Sequence, residues 1–560
     1  MHPIQVRRSI PATLVWLAVA ISVTTGGGRA VAADRTVLLT VACDSYADLK
    51  KQLSWFGSQI DNPGLAAMLE SVLLMATQGR GLGGLDVRRP LGAVVTSDGT
   101  DLAVHGFVPV KDVDALLGSL QAVIGPVEPP KDGVRRVTLP SGVDLAIRER
   151  DGWALIAPFA LDTEAVDASQ LLAAIAKDYT LAIEGHPSRM SDAIRRRLLE
   201  AIDQAAAASA AQGQRMDPAP IRAAVENLRQ TESLSLGLAI DDEAGSLFLE
   251  NRSLAVPGSA FAAAIAAAGK GTLTVATPAL ADAAAPAIRG YLAQSVSEED
   301  RRQFMETLDQ TLPANADDPI TRTIASLLRS ILSASLATGG IDAAIAVDTS
   351  AANADKPLPS LIAGMRVKNG VGLEQQVKQA FGPGGAASKG VSCQFDAGKV
   401  GAANLHRIGI DLKGTPAVDL LGDSLDLTLA VSDDYAFLLS GDGVPQRVGA
   451  ALAASGRPDP AAKPIVSLDA TLSGVLDYAA KMGAGPQVAA AAERAAAADS
   501  AVLKLFIRPI DRGLVTRISA DAGVLKAAAT LAGQPDPQPG LGIPVPAGAG
   551  FPIPVPLPTR

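Results

Sequence analysis

Histidine, cysteine and aromatic side chains are what this 560-residue sequence has least of, and each shortage removes a class of chemistry. Beyond the N-terminal segment only His105, His186 and His406 remain, at no short metal-ligating spacing, and neither H-E-x-x-H nor C-x-x-C occurs. No zinc motif is therefore legible, and no metal or cofactor ligands are assigned. Two cysteines, Cys43 and Cys393, stand in unlike surroundings; they can pair in an oxidising compartment, but buried free thiols are the preferred reading. Aromatic residues make up 3% of the chain and the formal net charge is −9. Nucleic acid needs a basic patch and stacking rings, so it is excluded as a partner, and sugar-binding clefts that lean on aromatic faces lose ground. There is no G-x-S-x-G, hence no nucleophile elbow.

Two glycine-rich stretches imitate phosphate loops and fail on context. Gly79-Arg80-Gly81-Leu82-Gly83-Gly84 fits G-x-G-x-x-G, but a helix precedes it and a strand follows, the reverse of a dinucleotide fold. Gly269-Lys270-Gly271-Thr272 lacks the first glycine of a phosphate loop and has Gly271 where the magnesium-binding hydroxyl belongs. It reads as a helix end. Two acidic clusters also have plain explanations. Asp241-Asp242-Glu243 occupies a hairpin turn, and Glu298-Glu299-Asp300 follows Ser297 at a helix start, where acids complement the helix dipole.

What is present begins with an export signal. Arg7 and Arg8 precede an apolar run from Thr13 to Val23, too short for a stable membrane span, and Ala30-Val31-Ala32-Ala33 suits signal peptidase. Cleavage after Ala32 or Ala33 is expected, with an uncleaved anchor as the alternative. The Arg-Arg pair suggests the twin-arginine route, but the general secretory route fits the poor consensus better. No cysteine marks a lipoprotein site. Losing Arg7, Arg8 and Arg29 would take the charge from −9 to −12. No second apolar stretch reaches 18 residues, so no transmembrane helix is expected after cleavage, and the location expected is periplasmic or extracellular.

The chain is too long for one core, and its patterns repeat. A β-branched strand, a helical stretch, a hairpin and a further helix recur four times, opening at Val37–Val41, Tyr179–Ile183, Leu273–Val275 and Ile465–Leu468. In the first, Leu49, Leu53, Phe56 and Ile60 form a helical face, Asn62-Pro63-Gly64 breaks it, and Ser97-Asp98-Gly99 turns a hairpin. Further strands are expected at Val134–Leu139, Val143–Glu149, Trp153–Ala157, Val391–Phe395, Leu405–Asp411, Leu425–Val431 and Tyr435–Leu439. The expected fold class is α+β, with two tandem copies of a sheet-and-helix module built of antiparallel hairpins and packed helices. The expected organisation is a signal peptide over 1–33, modules over 34–269 and 270–533, and a Pro-rich tail over 534–560. That tail holds nine prolines among apolar residues such as Phe551, Ile553, Val555 and Leu557. It is expected to be extended, either as a disordered tail or as a docking segment.

The run Asn62-Pro63-Gly64 through Arg80-Gly81-Leu82-Gly83-Gly84-Leu85-Asp86, with the hairpin at Leu102–Val110, resembles an uncharacterised family of exported proteins of planctomycete-type bacteria. The resemblance implies export and a duplicated α+β architecture over most of the mature chain. It lends no activity or site residues. The functional expectation is a non-enzymatic exported protein that binds an unknown protein or envelope component, or organises the envelope. A hydrolase of unrecognised type and a carrier of an apolar ligand are the alternatives.

Overall fold

The computed structural model describes residues 35–533 except 141, 159–167, 212–218, 277–286, 312–318, 351, 353–357, 383–389, 414–417, 419–421 and 458–464. The expected signal peptide and Pro-rich tail lie outside the described residues. The described strands are β1 Thr36–Cys43, β2 Leu91–Ser97, β3 Leu102–Pro109, β4 Val134–Thr138, β5 Asp144–Arg150, β6 Trp153–Pro158, β7 Leu181–Gly185, β8 Thr231–Asp241, β9 Ser246–Ala255, β10 Ile288–Ser295, β11 Gly340–Asp348, β12 Ser360–Arg366, β13 Val391–Val400, β14 Ala403–Asp411, β15 Ser424–Val431, β16 Tyr435–Ser440, β17 Val466–Thr471, β18 Val502–Ile510 and β19 Gly513–Asp521. The helices are α1 Tyr46–Gln59, α2 Leu65–Ala76, α3 Val113–Ile124, α4 Ala168–Ala176, α5 Asp192–Ala211, α6 Ala219–Asn227, α7 Ala260–Ala268, α8 Glu298–Thr311, α9 Pro319–Leu336, α10 Gly370–Phe381, α11 Val444–Ala454, α12 Leu472–Lys481, α13 Pro486–Ala496 and α14 Ala522–Ala532.

All nineteen strands belong to one antiparallel sheet. This overturns the expected pair of tandem modules, each with a sheet of its own; the mixed helix and strand content stands. Length argues for more than one core, and the chain does form two compact units, Met1–Ala262 and Ala263–Arg560. A separate core does not require a separate sheet, because a ladder continues wherever backbone N–H and C=O groups find partners.

In the first unit the strands pair in the order β4-β5-β6-β3-β2-β1-β7-β8-β9. The Ser97–Asp98–Gly99 turn closes β2 on β3 as expected. The Asp98 carboxylate accepts from Thr100 N, Thr100 Oγ1 and Asp101 N at 2.8–2.9 Å, and Gly99 takes a φ of +98° that suits glycine. Helix α1 starts where Ser45 Oγ accepts the Asp48 N–H at 3.1 Å. Helix α3 lays Val113, Leu116 and Leu117 on Val137, Ile147 and Ala154 of the sheet.

In the second unit the order is β13-β14-β15-β16-β12-β11-β10-β17-β18-β19. It matches the first unit position for position, with one more strand, β13, beside β14. Helix α10 buries Leu373, Val377 and Phe381 on Ile408, Ile410, Leu429 and Val431. Helix α11 buries Val448 and Ala451 against Leu405, Ala430, Phe437 and Leu439. Leu429 and Ala430 are adjacent and point to opposite faces, so these two helices cover opposite sides of the sheet.

One expected strand is displaced. Residues Leu273–Val275 carry no strand, because the buried Asp342 carboxylate takes the N–H groups of Thr274 and Val275 at 2.9–3.2 Å. The strand in that place is β10, where Gly290 and Gln294 dilute the β-branched signature that sequence reading depends on.

Candidate functional site

The alternation of strand side chains places Asn404, His406, Ile408 and Ile410 of β14 on the face covered by α10. Halfway along, that face changes from apolar to polar. Helix α10 changes with it: Leu373, Val377 and Phe381 meet the isoleucines, while Glu374 and Lys378, one turn apart, stand over Asn404 and His406. The third contributor is the edge strand. Between Gln394 and Gly398 the β13 register slips against β14, and Asp396 takes a left-handed φ of +52°. This is a bulge, which re-aims local groups. The Asp396 N–H consequently leaves the ladder and donates to His406 Nδ1 at 3.2 Å, while the Phe395 ring meets the imidazole edge-on at 5.9 Å.

Lys378 sits between the carboxylates, 2.5 Å from Glu374 Oε1 and 2.9 Å from both Asp396 oxygens. Asn404 Nδ2 donates to Glu374 Oε2 at 2.9 Å. Burial pushes the Glu374 carboxyl up, but the Lys378 and Asn404 bonds outweigh it and hold the group below its ordinary value. Asp396 is held low by Lys378, and Lys378 is raised by its bonds to Glu374 and Asp396. Burial lowers His406, against the pull of the Glu374 charge. With Nδ1 accepting, the neutral ring carries its proton on Nε2. That nitrogen is buried, has no hydrogen-bond partner and lies 3.7 Å from Glu374 Oε1. Ligand atoms of Glu374, Asp396 and His406 all fall within 4.8 Å of one another.

These residues stand 10 to 32 positions apart, a spacing that no short-range motif captures. The only sequence signal for them is His406 alternating with apolar residues along a strand. The other candidates stay dispersed. His105 is buried, with Nε2 3.1 Å from Thr96 Oγ1, and His186 precedes a short 3-10 turn over Pro187–Arg189. Asp242 in the β8–β9 turn pairs with Lys51 at 2.9 Å. Ser297 Oγ caps α8 by accepting from Asp300 N at 3.2 Å, and Glu298 and Glu299 pair with Arg301 and Arg302 along the helix. A groove of about 650 Å³ beside them is lined by these charged residues with Met305, Ser333 and Leu336. Gly84 of the false dinucleotide loop lies so close to α3 that a Cβ would meet the Asp112 carbonyl at 2.0 Å, a packing role. Cys43 and Cys393 are free thiols. Among the described residues no helix is long and apolar enough to cross a membrane.

Comparison of the chain with protein families, with curated proteins and with solved structures finds no match.

Proposed function

We propose that the chain is an exported, non-enzymatic scaffold protein that assembles with a second copy of itself through α2. The observation that carries this reading is the surface of that helix. Met68, Val72 and Met75 recur at i, i+4 and i+7, one stripe of a helix, and are 61%, 51% and 75% exposed. Such a stripe is the seam by which one helix packs against another. Contiguous exposed apolar surface in a soluble protein marks interaction sites.

Charge argues for a second copy as the occupant. The chain is acidic overall, so identical chains repel one another on net, and a neutral patch is where two copies meet at least electrostatic cost. The one charged residue of α2, Glu70, is paired with Lys50 of α1, which leaves the stripe neutral. Two-fold pairing of identical patches is also the commonest closed symmetry. A lipid surface fits less well, because membrane-lying helices carry Lys and Arg on their polar face and α2 has neither. Export rests on the Arg7–Ala33 signal pattern and agrees with the family resemblance.

The scaffold reading, rather than a hydrolase, rests on the exposed stripe of α2. The groove beside α8 sets Glu298, Glu299, Arg301 and Arg302 among Met305 and Leu336, a mixed lining that does not single out an apolar-ligand carrier.

A 12-residue helix offers less than the ~800 Å² per partner of a standard interface, so the dimer is expected to be weak. Sedimentation equilibrium over a concentration series should show a monomer–dimer equilibrium, abolished by Met68→Glu with Met75→Glu. A wild-type monomer at every concentration would sink the proposal. Vesicle binding lost in the double variant would make lipid the occupant instead.

A further inference from the structure

The cluster at α10 has features that an ionic tether between helix and sheet does not require. Glu374 and Asp396 bring two negative charges to one point, and among the described residues Lys378 is the one cation in bonding contact with both. Half the charge is therefore left uncompensated while the ring is neutral. A divalent ion would balance it. The imidazole supplies the second, independent indication. His406 Nε2 belongs to a side chain 1% exposed, makes no hydrogen bond, and faces the Glu374 carboxylate. Buried polar atoms are nearly always partnered, and an orphan of this kind calls for an explanation. The Asn404 bond to Glu374 Oε2 leaves Oε1 turned towards the cluster. Ligating carboxylates are commonly oriented by such a supporting bond. Asp396 is the exposed member, so the group opens to solvent on its side.

We propose that Glu374, Asp396 and His406 form a binding site for a divalent transition cation of the zinc class, entered by displacing the Lys378 ammonium. One imidazole nitrogen and two carboxylates suit this ion, with water completing the coordination. Coordination through Nε2 requires that nitrogen's lone pair. The ring proton moves from Nε2 to Nδ1, and the Asp396 N–H bond to Nδ1 is given up. The bulge at Asp396, already outside the regular ladder, is the segment that yields. Lys378 keeps its proton and turns towards solvent, to which its side chain is one-third exposed. One divalent ion enters, and no net proton leaves.

The test uses the full chain without a histidine tag, stripped with chelator and titrated with Zn²⁺ by calorimetry and with Co²⁺ by visible absorption. The expected result is one equivalent of metal and a Co²⁺ d–d band. Lys378→Met should tighten binding because it removes the competing ammonium. Asp396→Asn, an exposed change that leaves the core intact, should weaken binding by more than the roughly 10–100-fold typical of losing a supporting partner. His406→Gln should abolish the band. Two results would overturn the proposal: no metal taken up by either wild type or Lys378→Met, or binding unchanged in Asp396→Asn.

Discussion

At the scale of single residues, two buried constellations carry consequences that stability measurements can read. Arg35 Nε donates to Thr96 Oγ1 at 3.0 Å, and that hydroxyl lies 3.1 Å from His105 Nε2. After accepting from Arg35 the hydroxyl keeps a second lone pair and its own proton, so it serves either tautomer of the neutral ring. Burial, with the nearby Arg35 charge, lowers His105 below its ordinary value. A depressed pKa means that the native state prefers the neutral ring. Its contribution is complete above the unfolded pKa of about 6.5 and is lost as pH falls from there through the folded value. Urea midpoints should therefore drop on acidification below about pH 6.5, and His105→Gln should flatten part of that slope. His186 and His406, also lowered by burial, would keep the remainder. An unchanged slope in His105→Gln would contradict the assignment.

The second constellation is Tyr179, whose ring lies on Gly237. A Cβ there would meet ring carbons at 2.2–2.5 Å. The ring cannot simply move aside, because its hydroxyl donates at 2.6 Å to the buried Glu250 carboxylate. Burial, reinforced by Glu250, pushes the phenol up to about 12. Gly237→Ala should destabilise by about 1–3 kcal/mol, the usual range for overpacking. Tyr179→Phe should cost about 1–3 kcal/mol by leaving a buried charge short of a donor. Denaturant unfolding checks both, and a neutral Gly237→Ala would mean that the ring is not held.

At the scale of elements, legibility in the sequence followed local chemistry. The β2–β3 hairpin was readable because Asp98 and Gly99 dictate the turn by themselves, and the α1–α2 break because Asn62-Pro63-Gly64 does. Burial did not enter either inference. Where a long-range partner decides, sequence reading failed. Leu273-Thr274-Val275 looks like a strand, yet Asp342, 67–69 residues on, captures its N–H groups. Strand β10 is hard to read because a Cβ at Gly290 would come to 3.0 Å from Leu468 Cδ1, a tertiary reason for a residue that weakens strand propensity. The polar cluster was hidden for the same reason: its geometry depends on the Asp396 bulge, which no residue pattern announces. At the β2–β3 turn, the backbone N–H bonds from Asp101 and Thr100 hold Asp98 down to about 2. Asp98→Ala should therefore destabilise by about 1 kcal/mol, as the loss of a capping carboxylate does. An unchanged urea midpoint would show that the turn stands on Gly99 alone.

At the scale of the molecule, 560 residues are too many for one core, but chain length places no limit on how many strands one sheet holds. Two compact units form, and strand pairing runs in the same order in each, but all nineteen strands share one antiparallel sheet. The proposed scaffold needs a place to meet its partner, and α2 carries an exposed apolar stripe. The claim that α2 meets α2 can be tested most directly by dipolar EPR. The spin label would sit at Ser71, an exposed α2 position beside Val72, introduced as Ser71→Cys with Cys43 and Cys393 replaced by alanine. Packed helices lie about 8–10 Å apart axis to axis, so the two labels of a dimer fall well within dipolar range. A short, narrow interchain distance that disappears with Met68→Glu and Met75→Glu is the predicted result. No dipolar modulation at concentrations up to the solubility limit would contradict it.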